Sequence, residues 1–198
     1  MKNFITKHIP SPIKNLIRGG YQYWSFCAEI KKRYGDTVKV GKPIAFDFDH
    51  ISMEKNAHIL DHVRMWNVSG DDRVRITIGE NTGIGYRCTV LAGADVSIGN
   101  NVAIASDVFI TSGSHGIDAE SDICYGCQPY VGKAVVIGDN AWLGEKVCVM
   151  QGVSVGKYSI VGAGAIVTKS IPDYCIAVGN PAKVIKKYNF ESHSWEKV

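Results

Sequence analysis

The sequence contains neither a long apolar run nor a strong excess of charge. No apolar stretch approaches the roughly 18 residues needed to cross a bilayer, and the net charge is only +3. The N-terminus carries lysines and prolines and lacks the unbroken apolar core and the cleavage site of a signal peptide. We therefore expect a cytoplasmic protein, and the mild charge points to no nucleic-acid partner.

Cysteine is present, but not in the pattern of a metal site or a disulfide framework. In a reducing compartment the six cysteines are expected to be free thiols. Cys124 and Cys127 form a CxxC pair, and no second pair stands at zinc-like spacing. We interpret the pair as part of a loop, with a metal or redox role as the alternative, and we predict no metal site.

A six-residue repeat of aliphatic side chains occupies the middle of the chain. The residue two positions before each aliphatic is small or β-branched. Residues i−2 and i lie on the same face of a strand, so both sets are predicted to fill one core. The twelve aliphatic positions are Ile78, Ile84, Val90, Ile98, Ile104, Ile110, Ile137, Leu143, Val149, Val155, Val161 and Val167.

The third residue after each aliphatic position indicates sharp corners. At eight of the twelve positions it is Asn, Asp or Gly, the residues that adopt positive φ at the lowest cost. A period of six keeps neither one face of a helix nor the pattern of a hairpin sheet. Three short strands joined by three corners make one triangular turn. The sequence therefore predicts an all-β solenoid.

The solenoid is expected to carry additions at both ends and one long excursion. Loops as long as residues 111–134 are usually functional or disordered. The N-terminal segment has helical apolar spacing and many basic residues, so it either packs on the solenoid or a partner, or attaches peripherally to a membrane. The predicted parts are a helical segment at 1–35, irregular lead-in strands at 36–75, the repeat at 76–172 and a basic tail at 173–198, with a short helix near 181–187.

Four segments resemble the hexapeptide-repeat acyltransferases. TSGSH at 111–115 resembles that family's catalytic-histidine segment, and VIGDNAWLG at 136–144 resembles its tryptophan-bearing coil. GAGAIVTKSIP at 162–172 and VGNPAKVIK at 178–186 resemble its CoA-binding end. The resemblance implies a left-handed parallel β-helix, a homotrimer and acetyl-CoA as the donor substrate. KKYN at 186–189 and WEK at 195–197 are similar to the branch that O-acetylates bacterial surface polysaccharides, such as lipopolysaccharide O-antigen.

His115 is the candidate catalytic base. The next aliphatic position after Ile110 would be residue 116, so His115 is predicted to face outward at the root of the excursion. Histidine has an ordinary pKa of about 6.5, so its neutral imidazole can accept a hydroxyl proton near neutral pH. The histidines outside the repeat are expected to be structural or solvated: His8, His50, His58, His62 and His193.

The resemblance also implies contacts to acetyl-CoA. Trp142 precedes an aliphatic position, so it is predicted to point outward, either against another subunit or loop or as an apolar wall for the ligand. Serine is common in the family at the position of Glu145, whose backbone N–H would contact the thioester carbonyl. A solvated basic helix is the alternative for the two C-terminal lysines. The expected donor contacts are Trp142, Gly144, Glu145, Ala163, Thr168, Lys169, Lys183 and Lys186.

The acceptor is the least determined part of the prediction. Arg87, Ser114 and Asp118 are the candidate acceptor contacts, while glycines stand at 85 and 93, where the galactoside branch has sugar-binding polar residues. The leading hypothesis is transfer of acetyl to a sugar hydroxyl of a surface polysaccharide, with the enzyme at the inner face of the membrane. Another acceptor (an antibiotic, serine or a nucleotide-sugar amine) and a non-catalytic scaffold are the alternatives.

Overall fold

The computed structural model describes residues 11–73 and 75–198, so the first ten residues of the predicted N-terminal segment lie outside the described chain. Helix α1 (Ser11–Tyr34) covers nearly all of the remainder. Its last turn carries Lys31, Lys32 and Arg33, at the end of a helix where cations are favourable. Gly35 follows with φ +81°, and its N–H donates to Lys31 O. This left-handed glycine ends the helix.

One side of the C-terminal half of α1 packs against the first strands. Phe26 meets the rings of Phe46 and Phe48 at 5.5 and 5.2 Å between centroids. Ile30 is buried, and the Tyr34 hydroxyl donates to Ile51 O (2.7 Å). The helix thereby covers one end of the core. Within the described residues, no helix is both long and apolar enough to cross a membrane.

Most of the strands form three parallel sheets, here called A, B and C, and the bounds of their members follow. Sheet A contains β1 (Lys39–Val40), β4 (His58–Ile59), β7 (Gly83–Ile84), β10 (Ala103–Ile104), β15 (Trp142–Leu143), β18 (Ile160–Val161) and β20 (Cys175–Val178). Sheet B contains β2 (Ala45–Phe46), β5 (Arg64–Asn67), β8 (Thr89–Ala92), β11 (Phe109–Thr111), β16 (Cys148–Val149) and β19 (Ile166–Val167). Sheet C contains β3 (Ile51–Met53), β6 (Ile76–Ile78), β9 (Val96–Ile98), β14 (Val135–Ile137) and β17 (Ser154–Val155).

The chain visits sheets A, B and C in the same order in successive turns, and each strand pairs in parallel with its counterpart in the next turn. In sheet A, for example, Ile84 pairs with Ile104 and Ile104 pairs with Leu143. Side chains of equivalent positions therefore stack directly over one another. This mostly strand architecture fits the predicted β-helix.

The core is built from the predicted positions. All twelve aliphatic positions are buried, each at most 5% exposed, and so are the twelve positions two residues before them. Two of the latter are polar but satisfied. Thr82 donates to Gly99 O and accepts from the Val102 N–H, and Ser159 donates to Pro172 O and accepts from the Cys175 N–H. Buried hydroxyls are tolerated because both have partners.

The corners adopt positive φ more widely than predicted. Six of the eight expected residues do so: Asn81, Asn101, Asp107, Asn140, Gly152 and Gly164. Gly93 and Gly113 do not, because they lie where the six-residue spacing is broken, Gly93 in the eight-residue step from Val90 to Ile98 and Gly113 at the start of the excursion. Arg87, Lys146 and Tyr158 also have positive φ although their side chains disfavour it. Two of these are held by the next turn, since Arg87 pairs with Asp107 and Tyr158 stacks on Tyr174 at 5.3 Å.

The prediction of irregular lead-in strands at 36–75 is wrong. β1 to β5 pair in register with the turns above them, as in Lys39 with His58 and Ile51 with Ile76. The coil therefore begins at β1. Met53, Ile59 and Met65 already follow the six-residue period. Ile78 follows Met65 by thirteen residues, and this longer step between β5 and β6 conceals the period.

The prediction of a short C-terminal helix is also wrong. β21 (Lys183–Asn189) pairs antiparallel with β20, and β22 (Ser194–Lys197) pairs with β21. The added strands satisfy the backbone groups that would otherwise be exposed at the edge of sheet A. The basic residues of this segment suggested a solvated helix, but the pairing of β21 with β20 determines its conformation.

The alternation in β14 predicts opposite outcomes for two adjacent substitutions. Ile137 is 1% exposed and points into the core, whereas Val136 is 46% exposed on the outer face. Ile137→Ala should lower the free energy of unfolding by about 2–5 kcal/mol because it removes packed methyl groups. Val136→Ala should change it by less than ~1 kcal/mol. Denaturant unfolding measures both, and equal losses would contradict this orientation.

Candidate active site

An excursion from the coil carries the candidate base. After β11 the chain leaves sheet B and forms a hairpin of β12 (Gly113–His115) and β13 (Tyr130–Gly132) before it enters sheet C at β14. Buried Ser112 fixes its root: the hydroxyl accepts from the N–H groups of Gly93 and Ala94 and donates to Ala94 O. The Lys133 N–H donates to Ser112 O (2.9 Å). The hairpin thus projects from the corner between sheets B and C.

Gln128 organises the rest of the excursion. Its buried amide accepts from the Asp118 N–H (3.0 Å) and donates to Asp118 O and Ile123 O (2.8 and 3.0 Å). The Gly116 N–H donates to Pro129 O (3.0 Å) beside it. These bonds join the two sides of the loop, so the excursion has an ordered interior.

His115 is exposed at the end of β12, in register with Tyr130. The two rings meet edge to face, with centroids 4.9 Å apart and an interplanar angle of 62°. In the described part of the chain, no group hydrogen-bonds to the ring nitrogens of His115. Ser114 donates from its hydroxyl to His115 O (3.1 Å) and accepts from Gln151 (3.3 Å). The imidazole is therefore accessible.

The outer face of sheet A carries two predicted donor contacts, Trp142 and Lys186, in one register column. Trp142 is 52% exposed and pairs with Ile160, which pairs with Ile176, which pairs with Lys186. Strands lie about 4.8 Å apart, so the column spans roughly 14 Å from Trp142 to Lys186.

A second register column, here called the lane, runs beside this one. It contains Gly144 after β15, Gly162 after β18 and Val178 of β20. Val178 pairs with Lys183 at the end of the lane. A methyl group on Gly162 would lie 2.7 Å from Val178 Cγ1, and one on Gly144 would lie 2.8 Å from the backbone nitrogen of Ala163. Glycine is therefore required for the close stacking of these turns.

A β-bulge places both lysines on the same side. Ala177 pairs with Val184 and Ile176 with Lys186, so Ile185 is an extra residue in β21. Strict alternation would point Lys183 and Lys186 to opposite faces. With the bulge, Lys183 lies opposite outward Val178 and Lys186 opposite outward Ile176. Lys186 therefore stands at the end of the Trp142 column and Lys183 at the end of the neighbouring lane, on the same face.

The corner between sheets A and B offers backbone donors. No acceptor in the described chain bonds the N–H of Glu145 or of Ala163, whereas Glu145 O accepts from the Gly164 N–H (2.7 Å). At the corner between sheets C and A, by contrast, a side chain of the next turn caps two N–H groups at the same position of their turns: Asp139 caps Asn100 and Asp173 caps Lys157. The A–B corner can therefore donate to a ligand.

The remaining predicted residues do not join these groups within one chain. Thr168 and Lys169 follow β19 at the B–C corner, the corner from which the excursion leaves two turns earlier. Arg87 lies at the A–B corner and is bound to Asp107 at 2.8 and 2.9 Å. This hydrogen bonding lowers the pKa of Asp107. Arg87 is thus remote from Ser114 and Asp118 on the hairpin.

The structure adds a cleft that sequence reasoning missed. Its volume is about 370 Å³, with His58 and Trp142 on opposite walls and a floor of small residues that includes Gly83 and Ala103. His58 was expected to be structural or solvated, but its imidazole lies directly over Gly83. The sequence signal for this cleft was a small residue at the outward position directly before an aliphatic position, as at Gly83 and Ala103.

The CxxC pair lies on the excursion. Cys124 and Cys127 are exposed beside a short 3-10 helix (Tyr125–Cys127). Hydrogen bonding to the Cys124 thiol raises the pKa of Cys127. Among the described residues, no three His, Cys, Asp or Glu side chains are grouped as a metal site would require.

Two family models match the repeat on either side of the excursion. A model described as bacterial transferase hexapeptide (six repeats) matches residues 134–169, and a model described as hexapeptide repeat of succinyl-transferase matches residues 75–112. The hairpin with His115 falls between the two matches.

Curated and solved relatives cover more of the chain. A galactoside O-acetyltransferase of Escherichia coli is 30% identical over 90% of this chain and 90% of its own length. A putative lipopolysaccharide biosynthesis O-acetyl transferase of the same species is 44% identical over 52% of this chain and 55% of its own length. A galactoside acetyltransferase solved in complex with coenzyme A is 25% identical, with a TM-score of 0.58 over 98% of this chain and 92% of that one. The chain spans about half the length of the first curated relatives it matches.

Proposed function

This chain belongs to the hexapeptide-repeat acetyltransferase family, and we propose that it transfers acetyl from acetyl-CoA to a sugar hydroxyl of a bacterial surface polysaccharide. The observation that carries the proposal is His115, an exposed histidine at the root of an anchored hairpin, whose ring nitrogens have no hydrogen-bond partner among the described residues. A coil of three parallel sheets supports the left-handed β-helix of this family, and a coenzyme A complex is known for a solved neighbour.

In the proposed reaction His115 acts as general base. Its neutral nitrogen takes the proton from the acceptor hydroxyl while the hydroxyl oxygen attacks the thioester carbonyl carbon. The new C–O bond forms as the C–S bond breaks, and the departing sulfur receives a proton to give free CoA. The unbonded N–H of Glu145 would stabilise the negative charge that develops on the carbonyl oxygen.

The donor is proposed to lie along the outer face of sheet A. Trp142 would form an apolar wall for the pantetheine arm, which would lie beside the lane of Gly144 and Gly162. Ala163 offers a second unbonded N–H at the same corner. Lys183 and Lys186, roughly 14 Å from Trp142 along the register, would hold the CoA phosphates. Thr168 and Lys169 are assigned to the adenine end from the family resemblance.

A homotrimer would complete the site. His115 lies on the excursion at the B–C corner and Trp142 lies on sheet A, so one chain alone does not bring the two together. Three copies about a three-fold axis would set the excursion of one copy against sheet A of the next. The shared site thus follows from the separation of the two groups around the triangular cross-section.

The residues available to contact the acceptor support a glycan rather than a small sugar. Gly85 and Gly93 supply no side chains to grip a small sugar. Tyr125 is 58% exposed on the excursion and presents a ring to a sugar chain. Ser114 and Asp118 lie on the same excursion, while Arg87 would have to come from a neighbouring copy. The lipopolysaccharide relative points to the same class of acceptor.

An acceptor comparison tests this function. Release of the CoA thiol should be fastest with fragments of O-antigen or capsule repeats, because a chain of sugars can contact the whole excursion. Isopropyl-thiogalactoside and maltose should give lower kcat/KM. Comparable or better turnover of the small sugars would overturn the polysaccharide assignment. Hydrolysis of acetyl-CoA with no acetylated product would overturn the transferase.

Loss of the base should abolish most turnover without unfolding the protein. His115→Ala is expected to lower kcat about 10²–10⁴-fold, the usual effect of removing a general base. Thermal unfolding should be little changed because His115 is exposed. His193→Ala, in the turn of the C-terminal hairpin, serves as the matched control. An active His115→Ala enzyme would exclude this mechanism.

The paired lysines should govern donor affinity. Lys183→Ala with Lys186→Ala should raise the KM for acetyl-CoA several-fold with a smaller change in kcat. The difference from wild type should shrink as salt rises, because the contribution is electrostatic. Lys187→Ala is the control, since Lys187 pairs with buried Cys175 on the other side of β21. If Lys187→Ala raised the KM for acetyl-CoA equally, the increase would be due to net charge alone.

A further inference from the structure

The ring of Tyr130 is enclosed between His115 and two glycines. Tyr130 is half-buried and pairs with His115 across the hairpin. One contact is the edge-to-face packing with the imidazole, at 4.9 Å. The backbone of Gly93 and Gly113 lies along the phenol ring.

Both glycines leave room that the ring fills. A methyl group on Gly93 would lie 3.1 Å from Cδ1 and Cε1 of Tyr130, and one on Gly113 would lie 3.0 Å from Cε1. These distances are shorter than ordinary carbon–carbon contacts. The two glycines also touch each other, because a methyl on Gly93 would lie 2.6 Å from Gly113 Cα. A side chain at either position would therefore displace the ring.

The backbone on both sides of Tyr130 is held in place. Pro129 O accepts from the Gly116 N–H, and Gln128 is buried with all three of its amide bonds inside the excursion. On the other side, Gly132 pairs with Gly113, and the Lys133 N–H binds Ser112 O. The phenol ring therefore has little freedom to move away from His115.

His115 has no comparable restraint of its own. In the part of the chain that the structure describes, neither ring nitrogen has a hydrogen-bond partner that would orient the imidazole. Its ring contact there is the edge of Tyr130. A rotamer change would swing the imidazole nitrogen away from the hydroxyl from which it takes the proton.

From these contacts we propose that Tyr130 is a positioning residue, which holds the His115 imidazole in its productive orientation through ring packing. The inference rests on the proposed role of His115. Packing requires the ring and not the hydroxyl, so phenylalanine should replace tyrosine. A base misplaced by about 1 Å can cost on the order of 10²-fold in rate.

Kinetics of ring-removing and ring-keeping variants test the proposal. Tyr130→Leu should lower kcat roughly 10–100-fold, with little change in the KM for acetyl-CoA. Tyr130→Phe should restore kcat to within about twofold of wild type. Tyr158→Leu is the control, because Tyr158 likewise contacts one other ring but lies at the C–A corner, outside the excursion. If Tyr130→Leu does not fold, Tyr130→Met removes the ring and keeps a similar volume.

Nuclear magnetic resonance of the imidazole gives a readout besides activity. The ring protons of His115 should move by several tenths of a part per million in Tyr130→Leu, as a nearby aromatic ring is lost, and should stay in place in Tyr130→Phe. Unchanged His115 signals and full kcat in Tyr130→Leu would overturn the proposal. A loss of kcat in Tyr130→Phe equal to that in Tyr130→Leu would assign the role to the hydroxyl and overturn it as well. An active His115→Ala enzyme would refute the proposed function instead, whatever the Tyr130 variants do.

Discussion

Every turn of this protein must set its strands directly above those of the previous turn, and the rest of the structure depends on that register. Each strand is only two to four residues long in most of the coil, so the corners must reverse direction within a few residues. They do so with positive φ, even at Arg87, Lys146 and Tyr158, where the conformation costs of order 1 kcal/mol or more. Pairing with the next turn offsets that cost.

The same register arranges the surface. A residue that faces outward in one turn stands over an outward residue in the next, which gives continuous columns such as the one from Trp142 to Lys186. The corners differ in chemistry although they share a backbone conformation. Side chains of the following turn cap the N–H groups of Asn100 and Lys157 at the C–A corner, whereas at the A–B corner the N–H groups of Glu145 and Ala163 have no acceptor among the described residues.

Periodicity predicted the parts of the fold that depend on repetition. The core positions follow from the spacing of aliphatic residues, and the outward direction of Trp142 follows from its place before one of them. The beginning of the coil at β1 was hidden, because the longer step from Met65 to Ile78 interrupts the period there. The C-terminal hairpin was missed because a strand that closes a sheet edge has no period of its own.

The candidate site was predictable only in part. His115 could be singled out as an outward residue at the root of a loop. Its contact with Tyr130 crosses fifteen positions of irregular chain, so no spacing rule could indicate it. The bulge at Ile185 likewise decides that Lys183 and Lys186 share a face, and nothing in the sequence marks an extra residue in that strand.

The position of the excursion gives this architecture a separable module. β11 is paired within sheet B and β14 within sheet C by strands of the neighbouring turns, so the coil is continuous on either side without residues 112–134. The part of the excursion beyond its anchored root can therefore vary in length and sequence without disturbing the strands that hold it. In evolutionary terms, the segment that carries His115 can diversify while the stack of paired strands stays constant.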